Sequence, residues 1–270
     1  MEFELAVIGG GKMGAGILRG LLDSGRSEVL GTLAVVERNE LRAEVLRSDF
    51  GTHVAVIDTA PKATYYLIAT KPSDLPQAVK DAYRANREAV FISIAAGVTL
   101  ETLHELSSES STCVRVMPNT AATLQRSISA VAVDDGTTGE VLEFVERLFR
   151  SVGDVVFISE SKIDLVTAVS GSGPAYLYLL AEALEDAAVS VGLPFELASR
   201  LVQQTLVGAS HMYLETGKDL RVLKREVTSP GGTTAAALIE LERCGLRAAV
   251  YDAIRAAIRR AEEIGKKTQL

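Results

Sequence analysis

Tryptophan is absent, cysteine occurs twice and histidine three times in a chain of 270 residues, and acids outnumber bases. Each shortage closes off a class of function. Cys113 lies inside a strand-like run and Cys244 beside Gly245, with no C-x-x-C pair and no histidine close in sequence, so free thiols are expected. His53, His104 and His211 are scattered without ligand spacing, and no metal is assigned. A formal net charge of -7 and a pI near 5.2, with no Lys/Arg block interleaved with aromatics, argue against nucleic acid as a partner. The longest uncharged run, from Leu165 to Ala181, contains Gly171, Gly173 and Pro174 and falls short of a bilayer span, so no membrane segment is expected. The opening Met1-Glu2-Phe3-Glu4 is acidic and enters a strand at once, which reads as neither a signal nor a transit segment and points to the cytoplasm.

What is abundant is apolar surface. A hydrophobic content of 47% is ample for the cores of one large or two ordinary domains. The stretch Leu5 to Gly16 organises the rest: an apolar strand runs into Gly9-Gly10-Gly11 and then into a helix carrying Ile17, Leu18, Leu21 and Leu22. Gly9, Gly11 and Gly14 stand in G-x-G-x-x-G spacing between a strand and a helix, the context in which that spacing signifies a dinucleotide cradle. The first glycine permits the tight turn, the second lets backbone approach a pyrophosphate, and the third lets the helix lie close on the strand.

Strands and helices alternate from there. Thr32 to Glu37 is a β-branched run ending in an acid about twenty residues past the glycines, where a ribose hydroxyl is held in NAD-binding folds. Arg38 follows it, and a guanidinium there suits the 2′-phosphate of NADP, so the pair points both ways. Tyr65 to Thr70 is apolar enough to be buried on both faces of a parallel sheet and stops at Lys71-Pro72. Residues just beyond such strand ends line the ligand crevice, which makes Ala69, Thr70, Lys71 and Pro72 candidates. Ala89 to Ile94 leads into the small residues Ala95-Ala96-Gly97, suited to a wall for a nicotinamide ring, and Thr112 to Met117 stops at Pro118, leaving Asn119 and Thr120 at the rim. The succession predicts a doubly wound, Rossmann-like α/β sheet over residues 1–160.

Past Glu160 the hydrophobic period changes from 2 to 3.6, predicting an all-α block over 161–270. Its stripes include Tyr176, Leu179, Leu180, Ala183, Leu184 and Ala187, an apolar surplus that suits exchange of faces with a second copy. Two segments break the helical pattern. Ser170 to Tyr176 interrupts an apolar helix with Gly and Pro. Thr228-Ser229-Pro230-Gly231-Gly232-Thr233-Thr234 precedes Ala235-Ala236-Ala237-Leu238 and reads as a helix N-terminus open to an anion, with Ser229, Gly231, Gly232 and Thr233 around a carboxylate.

From end to end the chain resembles pyrroline-5-carboxylate reductase, in Ile8 to Gly14, Lys71-Pro72, Ser93 to Thr99, Arg115 to Thr120 (RVMPNT), Ser170 to Tyr176 (SGSGPAY) and Ser229 to Thr234 (SPGGTT). The resemblance implies reduction of the cyclic imine of 1-pyrroline-5-carboxylate to proline. It also implies cofactor contacts at Gly9, Gly10, Gly11, Lys12, Met13, Arg38, Ala69 to Pro72 and Ala95-Ala96, and substrate contacts at Val227, Ser229, Gly232 and Thr234. The helical domain would be a dimerisation domain interleaved in a homodimer, alone or within a larger ring of dimers. NADPH is the implied hydride donor. Glu37 stands where asparagine commonly precedes the arginine, which opens the ribose end to NADH as well.

The chemistry fits what the sequence lacks. An imine takes a hydride on carbon and a proton on nitrogen, and the nitrogen can be protonated before transfer, so a metal or a Ser-His-Asp set is unnecessary. A hydroxyl on the ring nitrogen suffices, and Thr234 is the candidate, with the Ser229 to Thr233 turn on the carboxylate. A β-hydroxyacid dehydrogenase shares the two-domain plan but needs a lysine where Leu177 stands. A non-catalytic dinucleotide sensor would have no use for the carboxylate turn.

Overall fold

The computed structural model describes residues 2–25 and 31–268. Eight strands form one sheet: β1 (Phe3–Ile8), β2 (Leu33–Val36), β3 (Val54–Ile57), β4 (Ala63–Ile68), β5 (Val90–Ser93), β6 (Thr112–Met117), β7 (Ser127–Val133) and β8 (Gly153–Phe157). Their order is β3-β2-β1-β4-β5-β6-β7-β8. The chain starts in the middle, winds outward to β3, then crosses back to β4. The strand order therefore reverses between β1 and β4, and the switch point opens a crevice beyond their carboxyl ends.

Five helices cover the sheet: α1 (Lys12–Asp23), α2 (Glu40–Phe50), α3 (Leu75–Ala85), α4 (Leu100–Leu106) and α5 (Gly139–Arg150). The period-2 alternation of the strands sorts their side chains between two layers. Leu5, Val7, Tyr65 and Leu67 pack with Ile17, Leu18 and Leu21 of α1, Leu46 and Phe50 of α2, and Phe144 and Leu148 of α5. Ala6, Ile8, Tyr66 and Ile68 pack with Leu75, Val79 and Ala82 of α3 and Leu100 and Leu103 of α4. Because both faces are covered, these strands read as continuous apolar runs. Helix starts are set locally: Asn39 accepts from the Arg42 amide at 3.0 Å and Thr99 from the Thr102 amide at 3.1 Å.

One strand departs from the winding that the repeated pattern suggests. β7 runs antiparallel to β6, with Val114 opposite Val133 and Met117 opposite Ala130. The connection, residues 118–126, contains only a 3₁₀ turn (Thr120–Leu124) and is too short for the crossover of a dozen or more residues that a parallel pair needs. β8 returns parallel to β7 after α5.

Beyond β8 the chain is helical: α6 (Ile163–Val166), a π-helical turn (Thr167–Gly171), α7 (Gly173–Ser190), α8 (Phe195–Thr216), α9 (Leu220–Glu226), α10 (Thr233–Arg243) and α11 (Leu246–Thr268). The π turn falls on the Gly-interrupted segment, where the Ser172 amide donates to the Thr167 carbonyl at 2.9 Å. The described chain divides into two compact units, one running to Ser172 and joined by residues from Ala257 onward, the other Gly173–Ala256. Within the first, Gly97 lies against α11, where a Cβ would stand 2.8 Å from Ile264 Cγ2 and 2.9 Å from the Gly265 amide. The second unit buries little of itself in a single chain: no residue of α7 or α10 is buried, and Ala198 alone is buried in α8. Leu177, Leu179 and Leu214 are 58%, 66% and 77% exposed, far more apolar area than a finished core leaves in water. Among the described residues no helix is long and apolar enough to cross a membrane.

Candidate active site

The first turn after β1 is shaped by glycine for three separate reasons. Gly9 has φ +106°, and a Cβ on it would stand 2.9 Å from the Ala69 carbonyl oxygen. A Cβ on Gly14 would collide with the Gly9 carbonyl oxygen, so the absence of a side chain lets α1 lie on the strand end. Gly11 is different. A Cβ there would meet nothing within 4 Å, so the space beyond it is open toward a ligand. Gly11 also caps α1 without a side-chain hydrogen bond, leaving first-turn N–H groups available to an anion.

The crevice that follows has a volume of about 850 Å³, and it brings together three strand ends: Gly9 to Lys12 after β1, Glu37 and Arg38 after β2, and Ala69 to Lys71 after β4. Thr70 Oγ1 is buried there without a hydrogen-bond partner among the described residues. Lys12 and Lys71 are exposed and carry no ion pair among the described residues. An open glycine, an orphaned hydroxyl and two unpaired cations fit a polyphosphate-bearing nucleotide, whose oxygens need donors and whose charge needs cations.

At the outer end of the crevice the two residues that the sequence leaves ambiguous are held differently. Glu37 is 9% exposed in its side chain; Oε1 accepts from the Asn39 amide at 2.9 Å, and Oε2 lies 3.3 Å from Arg42 Nη1. Arg38 is 67% exposed and donates to Asp81 Oδ2 at 2.8 Å. Arg42 and Asp81 also line the crevice and were not singled out by the sequence. Arg42 has a local signal, the third residue after the Asn39 cap. Asp81 stands on α3, far along the chain, and only the winding of the sheet brings it to Arg38.

Other candidates lie at the margin. Met13, Gly14, Pro72, Ala95 and Ala96 do not line this cavity among the described residues. Ala95 and Ala96 follow β5 on the same side of the sheet, where the Ile94 amide donates to the Ile68 carbonyl at 3.2 Å. Asn119 is used structurally: its side chain accepts from the Ala121 amide at 3.1 Å, capping the turn that reverses the chain into β7. Within β6, Arg115, 4% exposed in its side chain, donates to Asp164 at 2.6 Å and lies 3.4 Å from Glu160. Glu160 in turn accepts from the Leu100 amide at 2.7 Å.

In the helical unit, Ser229-Pro230-Gly231-Gly232 forms a turn closed by the Gly232 amide on the Ser229 carbonyl at 3.1 Å, with Gly231 at φ +70°. Proline second and a positive-φ glycine third is type II turn chemistry. Gly232 then caps α10 with no side-chain hydrogen bond, and Thr233 and Thr234 open the helix. Val227 ends α9 just before this turn and is 67% exposed. The arrangement leaves first-turn N–H groups and the hydroxyls of Ser229, Thr233 and Thr234 grouped around one helix start.

Comparison with known proteins agrees with both halves. Residues 160–264 match the family model described as pyrroline-5-carboxylate reductase dimerisation, and residues 4–97 match that of NADP oxidoreductase, coenzyme F420-dependent. Pyrroline-5-carboxylate reductase of Mycobacterium tuberculosis is 40% identical, with 97% of this chain and 96% of that protein covered. The structure of a pyrroline-5-carboxylate reductase from Coxiella burnetii superposes with a TM-score of 0.88 at 32% identity, covering 97% of this chain and 98% of that one. That of the Plasmodium falciparum pyrroline carboxylate reductase, with NADP bound, does so with a TM-score of 0.84 at 27% identity, covering 97% and 98%. A dinucleotide crevice at the switch point, an uncapped serine-glycine turn and relatives alike over nearly their whole length lead to one conclusion: the chain belongs to the pyrroline-5-carboxylate reductase family.

Proposed function

We propose that this protein reduces 1-pyrroline-5-carboxylate to proline with a reduced nicotinamide dinucleotide. The observation that carries the reading is the uncapped start of α10, whose small residues leave backbone N–H groups open to a carboxylate. Ser229, Gly231, Gly232 and Thr233 bind that carboxylate, with Val227 beside them. Thr234 hydrogen-bonds the ring nitrogen and steadies its proton. The cofactor, when bound, supplies the hydride. Gly9 to Gly14, Lys12 and Lys71 hold its phosphates, Thr70 donates to it, and Met13, Pro72, Ala95 and Ala96 complete the wall. NADPH suits Arg38 and NADH suits Glu37. Holding substrate and donor in reacting geometry supplies much of the rate, in line with a site that has no dedicated acid–base pair.

Residues 1–160 serve cofactor binding and 161–270 serve substrate binding and assembly. The working form is a homodimer or a ring of such dimers in the cytoplasm, a reading supported by the dimerisation family and the exposed apolar helices. The test is loss of reduced-nicotinamide absorbance on adding pyrroline-5-carboxylate, with NADPH and NADH in separate assays. Turnover is expected, and Thr234→Ala should lower kcat/KM by on the order of 10²-fold. A folded protein that binds a dinucleotide but turns over with neither donor would overturn the reading.

A further inference from the structure

The sequence leaves the ribose end of the crevice undecided between Glu37 and Arg38, and the geometry distinguishes them. Glu37 is fixed. Its carboxylate is anchored by the Asn39 amide at 2.9 Å and by Arg42 at 3.3 Å, and only 9% of the side chain is exposed. It also lies across the glycine turn, because a Cβ built on Gly10 would stand 3.2 Å from Glu37 Oε2. Arg38 instead is 67% exposed and pairs with Asp81 at 2.8 Å, which also accepts from Gln77 at 2.7 Å and Arg84 at 3.1 Å.

We infer that Glu37 selects a dinucleotide with a free ribose diol, making NADH the preferred hydride donor of this protein. The inference rests on the reading of the crevice as the dinucleotide site. A carboxylate offers about four acceptor positions, and the Asn39 amide and Arg42 use two, which leaves capacity for the 2′- and 3′-hydroxyls. A 2′-phosphate brings no compensating donor at neutral pH and a charge of about -1.5 to -2. Set beside a nearly buried carboxylate, that charge is repelled where solvent screens it least. Arg38 and Arg42 are each already paired with a carboxylate, Asp81 and Glu37, which offsets part of the positive charge they would bring to a phosphate, and Glu37 would remain in place.

The experiment is isothermal titration of the whole protein with NAD⁺ and, separately, NADP⁺, which reads cofactor choice without any turnover. NAD⁺ should bind at least about tenfold more tightly, as one close like-charge contact against NADP⁺ requires. Glu37→Gln keeps a carbonyl acceptor for the Asn39 amide and removes only the charge, and it should narrow the ratio by about tenfold. NADP⁺ binding as tightly as NAD⁺ to the unaltered protein, or a ratio unmoved by Glu37→Gln, would overturn the inference, as would binding of neither nucleotide. Selective NAD⁺ binding by a protein that reduces no imine would leave this inference standing and remove the reductase reading.

Discussion

Thr70, just beyond β4, carries a hydroxyl that is buried, lines the crevice and lacks a partner among the described residues. Leaving such a group unpaired costs stability, so its presence argues for a ligand that completes it. Thr70→Val preserves the shape and removes the unsatisfied atom. The unliganded protein should therefore melt at the same temperature or higher, while dinucleotide dissociation constants rise about fivefold, the worth of one hydrogen bond. Cys113 shows the opposite case, a polarisable group with no role in the crevice. Burial pushes its thiol up to about 12, so at neutral pH it is protonated, and alkylation of Cys113, followed by mass spectrometry, should occur only on unfolding. Both residues were visible in the sequence as members of apolar strands. That one hydroxyl is orphaned and one thiol sealed depends on neighbours from other strands.

Elements are joined by two charged connections that the order of residues does not announce. Arg115 of β6 holds Glu160 and Asp164, while Glu160 also caps the first turn of α4 through the Leu100 amide. Removing the buried cation leaves two partly buried carboxylates without their partner. Arg115→Ala should lower the unfolding free energy by about 3 kcal/mol in urea titrations, the cost of breaking a buried pair on one side. The second connection ties α4 to the segment after β7: His104 Nε2 lies 2.8 Å from Asp134 and Nδ1 3.2 Å from the Ser108 carbonyl. Burial alone would lower the imidazole pKa, but these two acceptors, with Glu109 nearby, outweigh it and raise it above the ordinary 6.5. Because the folded state binds this proton more tightly, the contribution is complete below that ordinary value and is lost as pH rises through the raised one. Compared with His104→Gln, the unaltered protein should lose relative stability as pH is raised through that window, measured by urea midpoints at successive pH values.

On the scale of the whole molecule, a single chain presents apolar helix faces that only association can cover. Leu179 is 66% exposed, so in an isolated chain Leu179→Glu would cost almost nothing. In the assembly expected of this family it buries an unpaired charge, and light scattering after size exclusion should show a shift toward monomer, with loss of activity. The linear order of residues determined much of this protein. Glycine spacing, the period of 2 and its change to 3.6, and the cap and turn residues act within a few positions, so the Rossmann-like sheet, the helical block and the SPGGTT turn were legible from them. Antiparallel β7 was not signalled, because alternation is the same in either strand direction and only connection length decides it. The contacts of Glu37 and Arg38 were equally hidden. Each is a charge at one strand end, and how each is held depends on Asn39 and Arg42 contacting one and on Asp81, brought in from α3, pairing with the other. Only tertiary structure decides how such charges are held, because charges act through space, on neighbours that the chain brings near only after it folds.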